Sequence, residues 1–251
     1  MAVPSTPPPA LATNLLLDSL TARDRARVLA ACHEVALSQG TMIDEAGAAM
    51  PHVYFPTSGF ISLIARVGDD SLEVALTGNE GMYGIPVAIG AGTAPAQALV
   101  QGSGIAWRMG AASFRRELGR IPALRRLLDR YAFVVMSQLI QTAGCHHFHR
   151  IEQRLARWLL MTADRAHSST LGITHEFLAY MLGVRRVGVT EAAGALQKRR
   201  LIAYGRGVVT IRDRAGLERA ACSCYRADLS IYEATLGLRA TRAGVAANPL
   251  K

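Results

Sequence analysis

A chain has few ways to fold the segment from Ile173 to Ile211, ITHEFLAYMLGVRRVGVTEAAGALQKRRLIAYGRGVVTI. Thr174 is placed to cap a short helix whose apolar face is Phe177, Leu178, Met181 and Leu182. Gly183 follows, where a tight turn between two helices needs a left-handed residue. A second helix is expected from about Arg185 to Arg199, burying Val189, Ala192, Ala193 and Leu196. The small run Ala192 to Ala195 allows close helix packing. Leu201-Ile202 begins a strand, Gly205-Arg206-Gly207 makes a turn, and Val208 to Ile211 returns. Helix, turn, helix and a two-stranded wing predict a winged helix-turn-helix.

Such a unit meets DNA with the N-terminal residues of its second helix. Arg185, Arg186, Thr190 and Glu191 are the polar groups available there, with Gly188 on the same turn. Arginine can take guanine O6 and N7 bidentately, and glutamate can accept from the cytosine amino group. Thr174, Lys198, Arg199, Arg200 and the wing residue Arg206 are candidates for the phosphate backbone. The charge supports this. Residues 145–219 hold 13 basic and six acidic residues, net +7, whereas residues 1–144 are neutral, with 11 of each. A neutral module followed by a basic one suggests that the second meets a polyanion.

Upstream the texture changes. Between His33 and Trp107, short apolar runs such as Val53-Tyr54-Phe55, Phe60 to Ile64, Val74 to Leu76, Ala98 to Val100 and Ile105 to Trp107 alternate with glycine-rich breaks. Many short strands at close spacing predict an antiparallel sandwich or barrel, with Gly68-Asp69-Asp70 as a hairpin turn. Asn14 or Asp18 is placed to cap one or two short helices ahead of it. Pro122 opens a longer helix, on which Leu124, Leu128, Tyr131, Val135, Gln138, Leu139 and Thr142 recur at spacings of three and four. That stripe is expected to be a dimer seam, the other reading being packing against the chain's own barrel. Ile151 to Met161 reads as an amphipathic helix, Leu155, Trp158, Leu159 and Met161 opposing Arg150, Arg154 and Arg157. The fold class is therefore α+β: a jelly-roll-like antiparallel β-barrel, a long dimerisation helix and a C-terminal winged helix-turn-helix. The expected divisions are a disordered arm (1–13), a barrel (14–120), the dimerisation helix (121–144), the winged module (145–219) and a tail (220–251).

This order resembles the Crp/Fnr transcription regulators over about residues 14–218. The lead-in ITxxxLAxxLG and the Leu201-Ile202 pair carry the resemblance most specifically, and HVYFPTSGFISLI is similar to that family's barrel strand pair. It implies a homodimer on palindromic double-stranded DNA, an effector-gated barrel resembling a cyclic-nucleotide-binding domain, and RNA polymerase as a further partner. The second helix departs from the family pattern. The leading arginine survives as Arg186, but the usual glutamate is Val187 and the trailing arginine is Glu191, so the usual half-site does not transfer. The barrel departs further. Cyclic-nucleotide members hold ribose with Gly-Glu and phosphate with Arg-Ser/Thr-Ala, whereas this chain has Glu80-Gly81 and Ala96-Gln97-Ala98. No arginine or lysine occurs from Val67 to Trp107, and a buried phosphate without a cation is costly. Cyclic nucleotide is therefore not expected as an effector, and no cofactor is assigned. Cys32 is the only cysteine before Cys145, which does not support the iron–sulfur cluster of oxygen-sensing members.

Cys145-His146-His147-Phe148-His149 stands at the joint between long helix and winged module. Cys145 and His149, four apart, can share a helix face as metal ligands, with His146 as a further candidate. The spacing matches no standard metal site, so the preferred reading is a polar hinge and no metal. Cys222 and Cys224 read as inert or weakly redox-active thiols. Nucleophile-elbow, phosphate-loop and HExxH patterns are missing, so no catalytic residue is expected. The 251 residues include no long charge-free apolar run and no secretory leader, and four scattered cysteines suit a reducing cytoplasm. Two other readings stay open: a ligand- or protein-binding regulatory module that does not touch DNA, and a metal- or redox-gated regulator using the Cys145/His149 region.

Overall fold

The computed structural model describes residues 13–238. The expected arm lies outside them except for Thr13, as does the chain beyond residue 238. In order come α1 (Leu15–Asp18), α2 (Ala22–Ala30), β1 (His33–Leu37), β2 (Met42–Asp44), β3 (His52–Pro56), β4 (Phe60–Val67) and β5 (Asp70–Thr77). One helical turn, α3 (Ile85–Ala88), precedes β6 (Gln97–Gly102) and β7 (Gly104–Gly110). Then follow α4 (Ala111–Arg120), α5 (Pro122–Phe148), α6 (Ile151–Ala166), β8 (Thr170–Gly172), α7 (His175–Leu182) and α8 (Arg186–Lys198). Last are β9 (Ile202–Gly205), β10 (Val208–Ile211), α9 (Arg214–Ala220) and α10 (Cys224–Leu236). Asn14 and Thr21 cap the first two helices.

The first seven strands form two antiparallel sheets, ordered β1-β7-β3 and β2-β6-β4-β5. Val67 pairs with Asp70, so the β4–β5 loop is Gly68-Asp69, with Gly68 at φ +63. The core between the sheets is closed by α4 and α5. Phe55 and Phe114 meet inside it, and Leu124, Leu127, Leu128, Tyr131 and Val134 of α5 enter the same cluster. Tyr131 stands over Gly81, where any β-carbon would collide with its hydroxyl.

Helix α5 corrects the expected seam. Leu124, Leu128 and Tyr131 are buried in the barrel core and Val135 is half-buried against it. Gln138 and Thr142 are also buried within the chain, Thr142 accepting from Arg157 of α6 at 3.3 Å, whereas Leu139 is 40% exposed. Most of the stripe therefore meets the protein's own barrel and α6. The uncovered apolar side of α5 carries Phe133, Met136 and Ile140, which are 51%, 52% and 68% exposed. The helix also continues to Phe148, so Cys145 to Phe148 are its last turn and the joint is His149-Arg150.

Helix α6 corrects a second expectation. All twelve residues from Arg154 to Arg165 are buried, arginines included. Arg157 Nη2 lies 2.7 Å from Asp228, and Arg165 Nε lies 2.8 Å from Glu80 of the barrel. Leucines on the other side of α6 join α7, α8 and the wing in a second core, which takes in Phe60, Ile64 and Leu76 of β4 and β5. In the segment expected as a tail, the described residues, 220–238, are largely helical. Helix α10 packs along α5, burying Tyr225, Asp228, Tyr232 and Leu236.

Candidate nucleic-acid interface

The two-helix motif forms as its local chemistry requires. Thr174 Oγ1 accepts the Phe177 amide at 3.2 Å, and Gly183 takes the left-handed conformation at φ +59. Arg185 is the extended residue just before α8, whose buried side is Val189, Ala192, Ala193 and Leu196. The opposite side exposes Arg185, Arg186, Val187, Thr190, Glu191, Gln197 and Lys198. The wing has three strands, because Thr170–Gly172 adds to β10 opposite β9. Its β9–β10 turn is Arg206-Gly207, both residues at positive φ, and Arg206 is exposed at the tip. That tip lies beside Thr174, which Gly207 approaches closely.

The expected DNA residues separate accordingly. Arg185, Arg186, Thr190 and Glu191 share the exposed front of α8, and Thr174 and Arg206 flank the start of α7. Gly188 does not face outward: a β-carbon there would strike Ile151 at 2.8 Å, so it serves close packing of α8 on α6. Arg199 is held by Glu152 at 2.7 Å, on the side of the module shared with Arg150 and Arg219. Three of the module's 13 basic residues, Arg154, Arg157 and Arg165, are buried and do not contribute to its surface.

Two side chains of this surface were missed in the sequence. His175 stacks on Tyr204, with ring centroids 4.2 Å apart and planes 13° apart, bridging α7 and the wing. Thr190 donates its hydroxyl to the Arg186 carbonyl at 3.1 Å, so His175 Nδ1, 3.0 Å from that hydroxyl, is the donor to it. Burial, assisted by the Arg186 charge, holds the imidazole below its usual range and therefore neutral. Together with Gly194, Gln197 and Lys198 these residues line a cleft between α8 and the wing. No spacing rule links a histidine to a tyrosine one strand beyond the next helix.

In the barrel, the positions compared above with the family's nucleotide motifs make contacts within the chain. Glu80 pairs with Arg165, Gly81 lies under Tyr131, and Gln97 Nε2 donates to Glu45 at 2.7 Å. Of the metal candidates, His146 Nδ1 lies 2.6 Å from Arg154 Nη2, whereas Cys145 and His149 converge with Cys222 and Cys224. The thiols expected to be inert thus sit beside the residues expected to form a polar hinge.

A jelly-roll barrel, a long helix and a winged helix-turn-helix define a class of regulator fold. Residues 153–220 match the family model of the Crp-like helix-turn-helix domain. No curated protein sequence matches the chain significantly. Among solved structures, one similar chain is a putative Crp/Fnr transcriptional regulator from Eubacterium rectale, at 16% identity and a TM-score of 0.65, covering 82% of this chain and 96% of that one. FixK2 from Bradyrhizobium japonicum is similar at 14% identity and 0.65, covering 76% and 98%. The c-di-GMP-responsive regulator CLP of Xanthomonas campestris matches at 16% and 0.62, covering 76% and 99%. The chain has the Crp/Fnr fold, with a Crp-like helix-turn-helix domain in its C-terminal half. No described helix is long and apolar enough to cross a membrane.

Proposed function

We propose that the protein is a cytoplasmic, homodimeric transcription regulator, not an enzyme, that binds palindromic double-stranded DNA through α8 and the wing. The observation that carries this reading is the front of α8, where Arg185, Arg186, Thr190 and Glu191 are exposed together on a buried, close-packed helix. A rigid helix presenting two arginines and a carboxylate at its N-terminal end suits reading base edges in a major groove. Dimerisation is assigned to the bare stripe Phe133, Met136 and Ile140, whose spacings of three and four continue to Ala143 and His147 and suit a second copy of α5. Cyclic nucleotides do not gate the barrel, because Tyr131 and Arg165 already engage Gly81 and Glu80; calorimetry with cyclic AMP and cyclic GMP should give no saturable heat.

Selection of bound duplexes from a random pool tests DNA reading and yields the half-site. On that site Arg186→Ala should cost about 1–3 kcal/mol and relax selectivity at one base pair. Arg206→Ala should weaken all sequences alike and lower the salt slope by about one. No enrichment in the selection overturns the DNA reading, and an equal loss on specific and scrambled duplexes for Arg186→Ala overturns its base-reading role.

A further inference from the structure

Four side chains from two distant stretches meet beyond the DNA-facing surface. Cys145 lies in the last turn of α5, and His149 is the residue at which that helix stops. Cys222 lies in the link between α9 and α10, and Cys224 opens α10. Their three sulfurs and one ring nitrogen all lie within 4.8 Å of one another. Cys145 Sγ is 3.5 Å from Cys222 Sγ, and Cys224 Sγ is 3.5 Å from His149 Nδ1. A tetrahedral ion bonded at about 2.3 Å to sulfur and 2.0–2.1 Å to nitrogen separates its ligands by about 3.5–3.8 Å. Two of the contacts have that length, and the whole group, within 4.8 Å, is compact enough to close on a single ion and too tight to surround a multi-iron cluster.

From this geometry we propose that Cys145, His149, Cys222 and Cys224 bind one zinc(II) ion in a closed Cys3His site that staples α10 to the α5–α6 joint. Three thiol protons pass to solvent and His149 coordinates through the Nδ1 lone pair; no electron moves, so no oxidant or reductant is needed. Buried cysteines alone are ordinary core residues. Here two further features favour a metal. Gln141, one turn earlier on α5, donates its Nε2 to Cys224 Sγ at 2.9 Å, the supporting contact that ligating sulfurs receive. Arg157 lines the same cavity as Cys145, placing a positive charge beside a shell that would carry a net single negative charge with zinc. A donor set of three sulfurs and one nitrogen selects zinc among the common divalent metals. All four positions are filled by protein atoms, so the site is structural and leaves no place for a reacting water.

The test uses the full-length protein without an affinity tag, purified from zinc-supplemented medium without chelator. Elemental analysis should find one zinc per chain and neither iron nor copper. Thiol titration in denaturant with chelator should count four free thiols, since zinc protects without oxidising. Cobalt(II) added to chelator-stripped protein should give visible bands of tetrahedral intensity and near-ultraviolet thiolate-to-cobalt bands. Both sets should vanish in Cys145→Ser and Cys224→Ser and persist in His147→Ala, which removes an exposed imidazole from the same helix end. Chelation should lower the thermal midpoint of the wild-type chain, and zinc should restore it. Metal-free protein with four free thiols, two free thiols from a Cys145–Cys222 disulfide, stoichiometric iron or copper, or cobalt bands unchanged in Cys145→Ser would each overturn the proposal. The elemental, thiol and wild-type cobalt measurements stand even if a variant fails to fold, and none depends on DNA binding.

Discussion

Helices α5 and α6 are written in similar letters, leucines every three or four positions with arginines between them, and they end in opposite surroundings. On α5 the arginines Arg125, Arg126 and Arg130 face outward and an apolar strip stays bare. On α6 the arginines are inside: Arg165 and Arg157 meet carboxylates, Glu80 from the barrel and Asp228 from α10, and Arg154 meets His146 and the Leu182 carbonyl instead. Asp164 of α6 itself receives Arg214 at 2.6 Å and the Tyr225 hydroxyl at 2.8 Å. An arginine in an amphipathic pattern therefore marks a side that needs water or an internal acceptor, and only the tertiary fold decides which. The difference also divides the labour. The buried helix joins barrel to winged module through paired charges, and the half-bare helix leaves an apolar strip uncovered within the chain.

The largest effect is expected where an enclosed charge loses its partner. Arg165→Met should destabilise the chain by about 3–5 kcal/mol in urea, by leaving Glu80 buried and unpaired, and adding Glu80→Met should restore most of the loss. Arg130→Met on exposed α5 should change stability by no more than about 0.5 kcal/mol. Equal losses in the two single variants would erase the contrast between the helices.

The two sides of α5 offer the next test. Leu128→Ala should cost about 2–5 kcal/mol of folding stability while the folded protein still sediments as a dimer. Ile140→Glu should leave the circular dichroism spectrum intact yet sediment as a monomer, since a charge is forced into the seam. A dimer that survives Ile140→Glu would move the seam elsewhere.

A smaller effect appears in pH. Glu73 of β5 is reached by α6 through Trp158, whose Nε1 donates to its carboxylate at 2.9 Å. Burial pushes the Glu73 carboxyl from 4.5 up to about 7, against the opposing pull of Ser62, Trp158 and nearby arginines. The folded state thus holds this proton more tightly than the unfolded chain. The contribution of Glu73 to stability is fully present below about pH 4.5 and is lost as pH rises through about 7, a span of about 3 kcal/mol. Urea midpoints at pH 5 and pH 8 should therefore converge in Glu73→Gln; an unchanged pH slope would mean the barrel–α6 contact is wetter than its geometry implies.

What was legible in the sequence was local. Thr174, Gly183 and the Arg206-Gly207 turn act over a few residues, so the winged unit could be read from them, as could Pro122 and the β4–β5 hairpin. Which side of α5 is covered was not legible because the helix has two apolar sides, Leu124-Leu128-Tyr131 and Phe133-Met136-Ile140, and periodicity does not say which one the barrel takes. Gly188 and Arg199 looked available because their partners, Ile151 and Glu152, stand on a different helix. Cys145 and His149 found their companions only through the path of the whole winged module, a distance no spacing rule spans.

That path has a mechanical consequence. The chain leaves α5 at His149 and is back beside it at Cys222, so everything between is a lobe knotted off at its neck like a balloon. In the unfolded chain, bringing Cys145 and Cys222 together costs about 4–5 kcal/mol of chain entropy. The cost grows only by about 0.6 kcal/mol for each doubling of the loop. Residues added to the wing or to the α6–β8 connection would therefore enlarge the lobe with little strain at its neck, whereas turning the lobe relative to the long helix would bend the backbone at the neck and break the Arg165–Glu80 and Trp158–Glu73 contacts with the barrel.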